Sequence, residues 1–254
     1  MKKDFLTRGF MLASAVLAFS LPPAQADVIV DDYVGEDDHG YGDVIGNPAH
    51  FDIFGMEVIQ EGDWLTVIIE TAFAGRGDDG LFERYTRGDR GIGYGDLFLA
   101  EDTGTGIWDY GFSLDDRWSA PGAHLGGTLY RLDSGDNSDI LMSEHFMTGG
   151  SRGSAIFRNG QEVAVNRNAN VTPIAGSSYW SVNDAVVRFH IDLTGTSLSR
   201  VDANGLRWGL TCANDVIQGA YTPVSEPGTL ALFGLGLFGL AVARRRAHGA
   251  PAMR

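Results

Sequence analysis

The sequence predicts an all-β fold, a two-sheet antiparallel sandwich of jelly-roll type, in a body of about 200 residues. Three observations carry this. Apolar and polar residues alternate with period two over several short segments, as half-buried strands require. Gly and Asp recur between those segments as turn residues. No segment carries a useful length of the 3.6-residue apolar stripe of a helix. Strands every 8–15 residues or so, joined by Gly/Asp loops, pack most simply as two facing sheets.

The elements follow in order. Phe51-Asp52-Ile53 opens the first clear strand region, and Met56 and Val58 lead to a turn at Glu61-Gly62-Asp63. Leu65, Val67 and Ile69 then alternate with Thr66, Ile68 and Glu70. Residues 156–158 and 161–165 flank Asn159-Gly160, a hairpin signal because Asn-Gly accepts the positive φ of a type I′ turn. Val187, Phe189, Ile191 and Leu193 face the core, and Arg188, His190, Asp192 and Thr194 face solvent. Asn204-Gly205 reads as a further turn before residues 206–212. Gly42-Asp43-Val44-Ile45-Gly46 resembles Asn214-Asp215-Val216-Ile217-Gln218-Gly219. First and last strands of a jelly roll are often neighbours, so this similarity places Asp43 and Asp215 at one edge.

Both ends of the chain read as addresses. Residues 1–26 have the layout of a secretory signal peptide: Lys2, Lys3 and Arg8, an apolar run at 9–21, and the small-x-small site Ala24-Gln25-Ala26. Cleavage there starts the mature chain at Asp27. The run is too short to span a bilayer, which takes roughly 20 residues. Near the other end, residues 229–243 are apolar or small apart from Thr229, with no polar face, and Arg244-Arg245-Arg246 follow. That is a transmembrane helix with a basic stop, and the positive-inside rule keeps the arginines cytoplasmic. The expected organisation is therefore a signal peptide (1–26), a β-sandwich domain (27–222), a sorting segment (223–246) and a short cytoplasmic tail (247–254).

Residues 27–225 contain 12 basic residues, all arginine, against 31 acidic ones, a net charge of −19. Such a surface repels nucleic acid and attracts cations. Disorder is the other reading of high charge, but aromatic and β-branched residues with clear alternation argue against it. Cys212 is the one cysteine, so no internal disulfide forms. It is either buried and inert or open to an intermolecular bond; alternate apolar positions in 206–210 favour burial.

The candidate chemistry is sparse. Gly149-Gly150-Ser151-Arg152-Gly153 matches the serine-hydrolase string but lacks the strand-to-helix elbow that it needs. His39, His50, His124, His145 and His190 show no zinc spacing. Glu144 and Glu162 have no acidic partner at strand spacing, so no glycosidase pair is read. Two Arg-Gly-Asp strings, at 76–78 and 87–89, read as chance in a chain so rich in Gly and Asp. Acidic, Gly-containing loops are the substantive signal: residues 31–43, 78–80 and 133–139. Ca²⁺ takes six to eight oxygens from such loops, so Ca²⁺ is the candidate cofactor and Asp37, Asp38, Asp43 and Asp215 are its candidate ligands. Trp108, Tyr110, Trp118 and Tyr130 lie within 23 residues among Asp109, Asp115 and Asp116. Aromatic faces beside carboxylates suit glycans, which makes Trp108, Tyr110 and Trp118 candidate glycan contacts. Core and rim aromatics are the bland alternative.

One resemblance is specific. Ser225-Glu226-Pro227, the Gly/Leu-rich apolar run and the Arg244-Arg245-Arg246 triplet resemble the PEP-CTERM sorting domain. That domain is found on exported proteins of Gram-negative bacteria that make extracellular polysaccharide. Ser225 stands where the motif has its first proline; Glu226 and Pro227 are kept. The resemblance implies an exosortase as partner, a membrane protease-transpeptidase that acts near the motif and releases the body. It also implies a body in the periplasm, held at the inner membrane and then passed to the cell surface or extracellular matrix. The expected function is non-enzymatic, structural or adhesive. The alternatives are a carbohydrate-binding module acting on exopolysaccharide, and a glycan-active enzyme.

Overall fold

The computed structural model describes residues 26–33, 42–77, 79–80, 83–88, 90–148, 157–201, 204–223 and 236–237. Ala24, Asp37, Asp38, Ser225, Glu226, Pro227, Arg244, Arg245, Arg246 and the 149–153 string lie outside these residues, as do Asp78 and Asp89. Residues 24–226 form one unit, and residues 1–23 with 227–254 form another, of which Gly236 and Leu237 are described, in a helical turn. Among the described residues no helix is long and apolar enough to cross a membrane.

Fourteen strands follow one another among the described residues: β1 (Ala26–Ile29), β2 (Ile53–Glu61), β3 (Trp64–Thr71), β4 (Leu97–Ala100), β5 (Tyr110–Leu114), β6 (Gly122–Leu125), β7 (Gly127–Leu132), β8 (Ile140–Met142), β9 (Glu162–Val165), β10 (Val171–Pro173), β11 (Tyr179–Val182), β12 (Val186–Asp192), β13 (Asn204–Gly209) and β14 (Val216–Tyr221). They form two six-stranded sheets with every pairing antiparallel. The first runs β1-β2-β3-β12-β11-β6, the second β10-β7-β5-β4-β13-β14, and β8 pairs with β9 separately.

The core lies between the sheets. In β3 and β12 the expected alternation holds: Leu65, Val67, Ile69, Val187, Phe189 and Ile191 are fully buried. Phe112 of β5 meets Phe189 of β12 edge-on, with ring centroids 5.8 Å apart, so the inner faces interlock. The second sheet is different. Every residue of β4, β5 and β13 is buried, on both faces. Its outer face carries a smaller cluster in which Phe98, Trp108, Leu132, Ile140 and Val165 pack together, the last two from β8 and β9. A strand covered on both sides loses its hydrophobic alternation.

Three local readings are corrected. Gly62 takes φ 58° in the two-residue loop between β2 and β3, as expected. Gly160 also takes a positive φ, 71°, but Asn159 does not, so the turn is not type I′. The strand after it, β9, pairs with β8, and the Arg158 backbone N–H reaches the Cys212 carbonyl at 3.1 Å. Asn204 and Gly205 are the first residues of β13, not a turn. The Asn204 amide is buried and donates to the Leu198 carbonyl at 2.8 Å, which removes its turn-forming use. Finally, Phe51 ends a short helix, α1 (Pro48–Phe51), and the first strand is β1, which starts 25 residues earlier.

Strands β1 and β14 are the outermost strands of different sheets, and they lie against each other. A side chain at Gly219 would meet Ile29 Cγ2 at 2.5 Å, so glycine is what allows the approach. The seam between the two sheets is closed here, and the chain's most unusual polar group lies beside it.

Candidate functional site

Four carboxylates converge at this seam. Asp31 follows β1 by two residues, Asp43 opens the bend at 43–46, Asp52 lies between α1 and β2, and Asp215 immediately precedes β14. One oxygen of each lies within 4.8 Å of the other three. Three of the residues are half-buried, and Asp215 is fully buried.

Local chemistry fixes each position. Asn47 caps α1 by accepting the Ala49 N–H at 3.1 Å, and Pro48 supplies the preset φ of the first helical position. The helix closes when the Asp52 N–H reaches the Pro48 carbonyl, which sets Asp52 at the mouth of β2. Two bonds clamp the 43–46 bend to the far end of the chain: Ile45 N–H to Asn214 O at 2.7 Å, and Asn214 Nδ2 to Ile45 O at 2.8 Å. The two similar strings noted in the sequence are thus direct partners, and Asp43 and Asp215 are brought together. Arg158, itself buried, directs Nη2 to the carbonyls of Gly42 and Asp43.

The four acids are not equally satisfied. Asp215 accepts two backbone N–H groups, from Ile53 at 2.7 Å and Val216 at 2.8 Å. Asp31 has no N–H donor among the described residues: both oxygens are shut off from solvent and neither receives a hydrogen bond from outside the acid cluster. Asp43 Oδ1 is in the same position. The Asp31 carboxyl faces that of Asp215, with which it can share a proton. Burial first, then the charges of Asp215, Asp43 and Asp52, push Asp31 up to about 8. Burial likewise pushes Asp215 up to about 7, against the opposing pull of the Ile53 hydrogen bond. Asp43 is raised by burial and then by Asp52, with Arg158 opposing. Such a cluster holds protons or a cation.

The other acidic loops differ in kind. Asp139 is buried, but its own loop caps it: the N–H groups of Asp133 and Ser134 and the Ser134 hydroxyl donate at 2.9, 3.1 and 2.6 Å. Asp79 faces Arg76 at 3.8 Å. Asp96, buried, receives Leu114 N–H, Val165 N–H and Arg117. Sequence reading singled out Asp43 and Asp215, saw Asp31 only as part of an acidic run, and had no signal for Asp52.

The aromatic candidates are redistributed. Trp108 and Tyr110 are 6% and 4% exposed, Trp108 in the outer-face cluster of the second sheet and Tyr110 in the core between the sheets. Trp118 is half-buried, donates Nε1 to Gly91 O at 3.0 Å, and carries Arg90 over its ring at 4.9 Å. These rings therefore do not form one open stacking surface. A pocket of about 230 Å³ does open beside Trp108, lined also by Asp102, Thr103, Ile107 and Gln218. On the outer face of the first sheet His124, Tyr179, His190 and Trp64 stand in a row, with centroids 4.3, 5.0 and 4.6 Å apart. Sequence spacing could not show that row, because its rings come from four strands. Cys212 is fully buried, and burial pushes its thiol up to about 12.

No curated protein and no solved structure matches the chain. The C-terminal segment does match a family model, and the match implies an exosortase as processing partner of an exported protein. Residues 223–246, which begin two positions after the last strand, carry a PEP-CTERM protein-sorting motif.

Proposed function

We propose that the chain is an exported surface or extracellular-matrix protein whose β-sandwich is a structural or adhesive body rather than an enzyme. The observation that carries this reading is the placement of the sorting motif. It starts directly after β14, so the whole sandwich lies on its N-terminal side as one cargo. Residues 1–26 direct export, the 229–243 helix holds the body at the inner membrane, and cleavage near Glu226-Pro227 frees it. The half-buried to buried setting of the converging carboxylates supports a structural use, since such groups staple a fold more readily than they reach a polymer. The test is intact-mass measurement of the protein from cells with and without an active exosortase. Loss of residues 229–254 only in the active strain is expected; their retention in both refutes the reading.

A carbohydrate-binding body is the second reading. It is supported by the pocket beside Trp108, where Asp102 and Gln218 supply hydrogen-bonding groups next to an aromatic edge. A glycan array should then show binding that Asp102→Ala weakens; a blank array refutes it.

A further inference from the structure

We propose that Asp31, Asp43, Asp52 and Asp215 bind one Ca²⁺ ion, which ties β1 and the segment after it to the start of β14. Two independent observations carry this. The first is convergence: one oxygen from each of four separate segments, all within 4.8 Å of one another. Oxygens around a Ca²⁺ at 2.3–2.6 Å stand at most about 5 Å apart, so one ion reaches all four. The second is the state of the oxygens. Both of Asp31 and one of Asp43 are removed from solvent and receive no hydrogen bond from outside the four acids. Buried polar atoms are almost always paired, and Asp96 and Asp139 in this same chain show how a buried carboxylate here is otherwise satisfied. A cation supplies what the Asp31 oxygens lack.

The donor set selects the ion. All four ligands are carboxylate oxygens, without His or Cys, which suits a hard cation. Mg²⁺ demands a tight octahedron at about 2.0–2.1 Å and keeps several waters, so four protein carboxylates on one ion suit the larger, more adaptable Ca²⁺. Ca²⁺ and the nearby Arg158 together offset three of the four negative charges. The ligands come from Asp31 and Asp215, 184 positions apart, and from the two segments between β1 and β2. The ion therefore closes the seam between the sheets and fastens the start of the body beside its last strand. Sites in extracellular modules bind Ca²⁺ at about 10⁻⁴–10⁻³ M, so occupancy follows export.

The test uses the full chain stripped with chelator and returned to pH 7.5. Calorimetric titration with CaCl₂ should show one ion per chain, and the melting midpoint should climb with Ca²⁺ concentration as ligand linkage requires. Equal MgCl₂ should raise it less. Asp31→Asn should abolish Ca²⁺ binding while melting, in chelator, at or above the wild-type midpoint, which separates loss of the site from loss of the fold. A wild-type chain that binds no Ca²⁺ overturns the proposal, and the cluster then holds protons alone. An Asp31→Asn chain that still responds to Ca²⁺ also overturns it, because the ion then lies elsewhere.

Discussion

Without metal, the Asp31–Asp215 pair should make this protein less stable as pH rises, the reverse of the usual carboxylate effect. Both groups have folded-state pKa values above the ordinary 3.8. The folded state therefore binds more protons than the unfolded state between about pH 4 and pH 8. Stability contributed by those protons is complete below about pH 4 and is lost progressively as pH rises through the folded-state values, to about pH 8. Raising Asp215 from 3.8 to about 7 is worth about 4 kcal/mol at full value. Asp31 adds little independently, because the two share protons and titrate as a pair. Discounting for the partial exposure of Asp31 leaves about 2–3 kcal/mol. For a body of this size that is roughly 4–12 °C in melting midpoint. The assay is a series of calorimetric or circular-dichroism melts in chelator from pH 5 to pH 8.5. The Asp31→Asn variant provides the control: its amide is neutral at every pH and can donate to Asp215, so the slope should flatten and the pH 8 midpoint should rise. A wild-type midpoint that is flat or rising from pH 5.5 to 8.5 would refute the reasoning, as would a slope that Asp31→Asn leaves intact.

Three further outcomes are expected. Asp96→Ala strands two buried N–H groups and the Arg117 charge; it should cost about 3–5 kcal/mol in a denaturant titration, and Asp115→Ala, at an exposed pair, should cost under ~1 kcal/mol. Gly219→Val places branched carbons on Ile29 at the β1–β14 seam; it should lower stability by about 1–3 kcal/mol, read as accelerated proteolysis near residue 30. Cys212, buried with its thiol pushed up to about 12, should resist a thiol reagent at pH 8 in the folded protein and react fully in denaturant; rapid labelling of the folded chain would contradict its burial.

The sequence by itself determined the elements whose physics is local. The period-two pattern of residues 65–69 and 187–193 set β3 and β12 and their buried faces, because one covered face imposes alternation. The Arg triplet, the apolar run and Glu226-Pro227 likewise identified the sorting motif, since an address is read from linear chemistry. Asn159-Gly160 turns, though not as type I′, whereas Asn204-Gly205 does not turn, because the buried Asn204 amide is bonded to Leu198 instead. Tertiary structure alone decided which acids matter. Residues 31–43 and 133–139 are alike as strings, yet Asp139 is capped by its own loop while Asp31 faces Asp43 of its own run and Asp52 and Asp215 from beyond it. The same holds for the rings: Trp108 resembles a surface aromatic until a β8–β9 layer covers the second sheet, and Tyr110 until the core between the sheets takes it up. Burial and convergence depend on contacts between distant segments, and only the closed seam of the two sheets creates them.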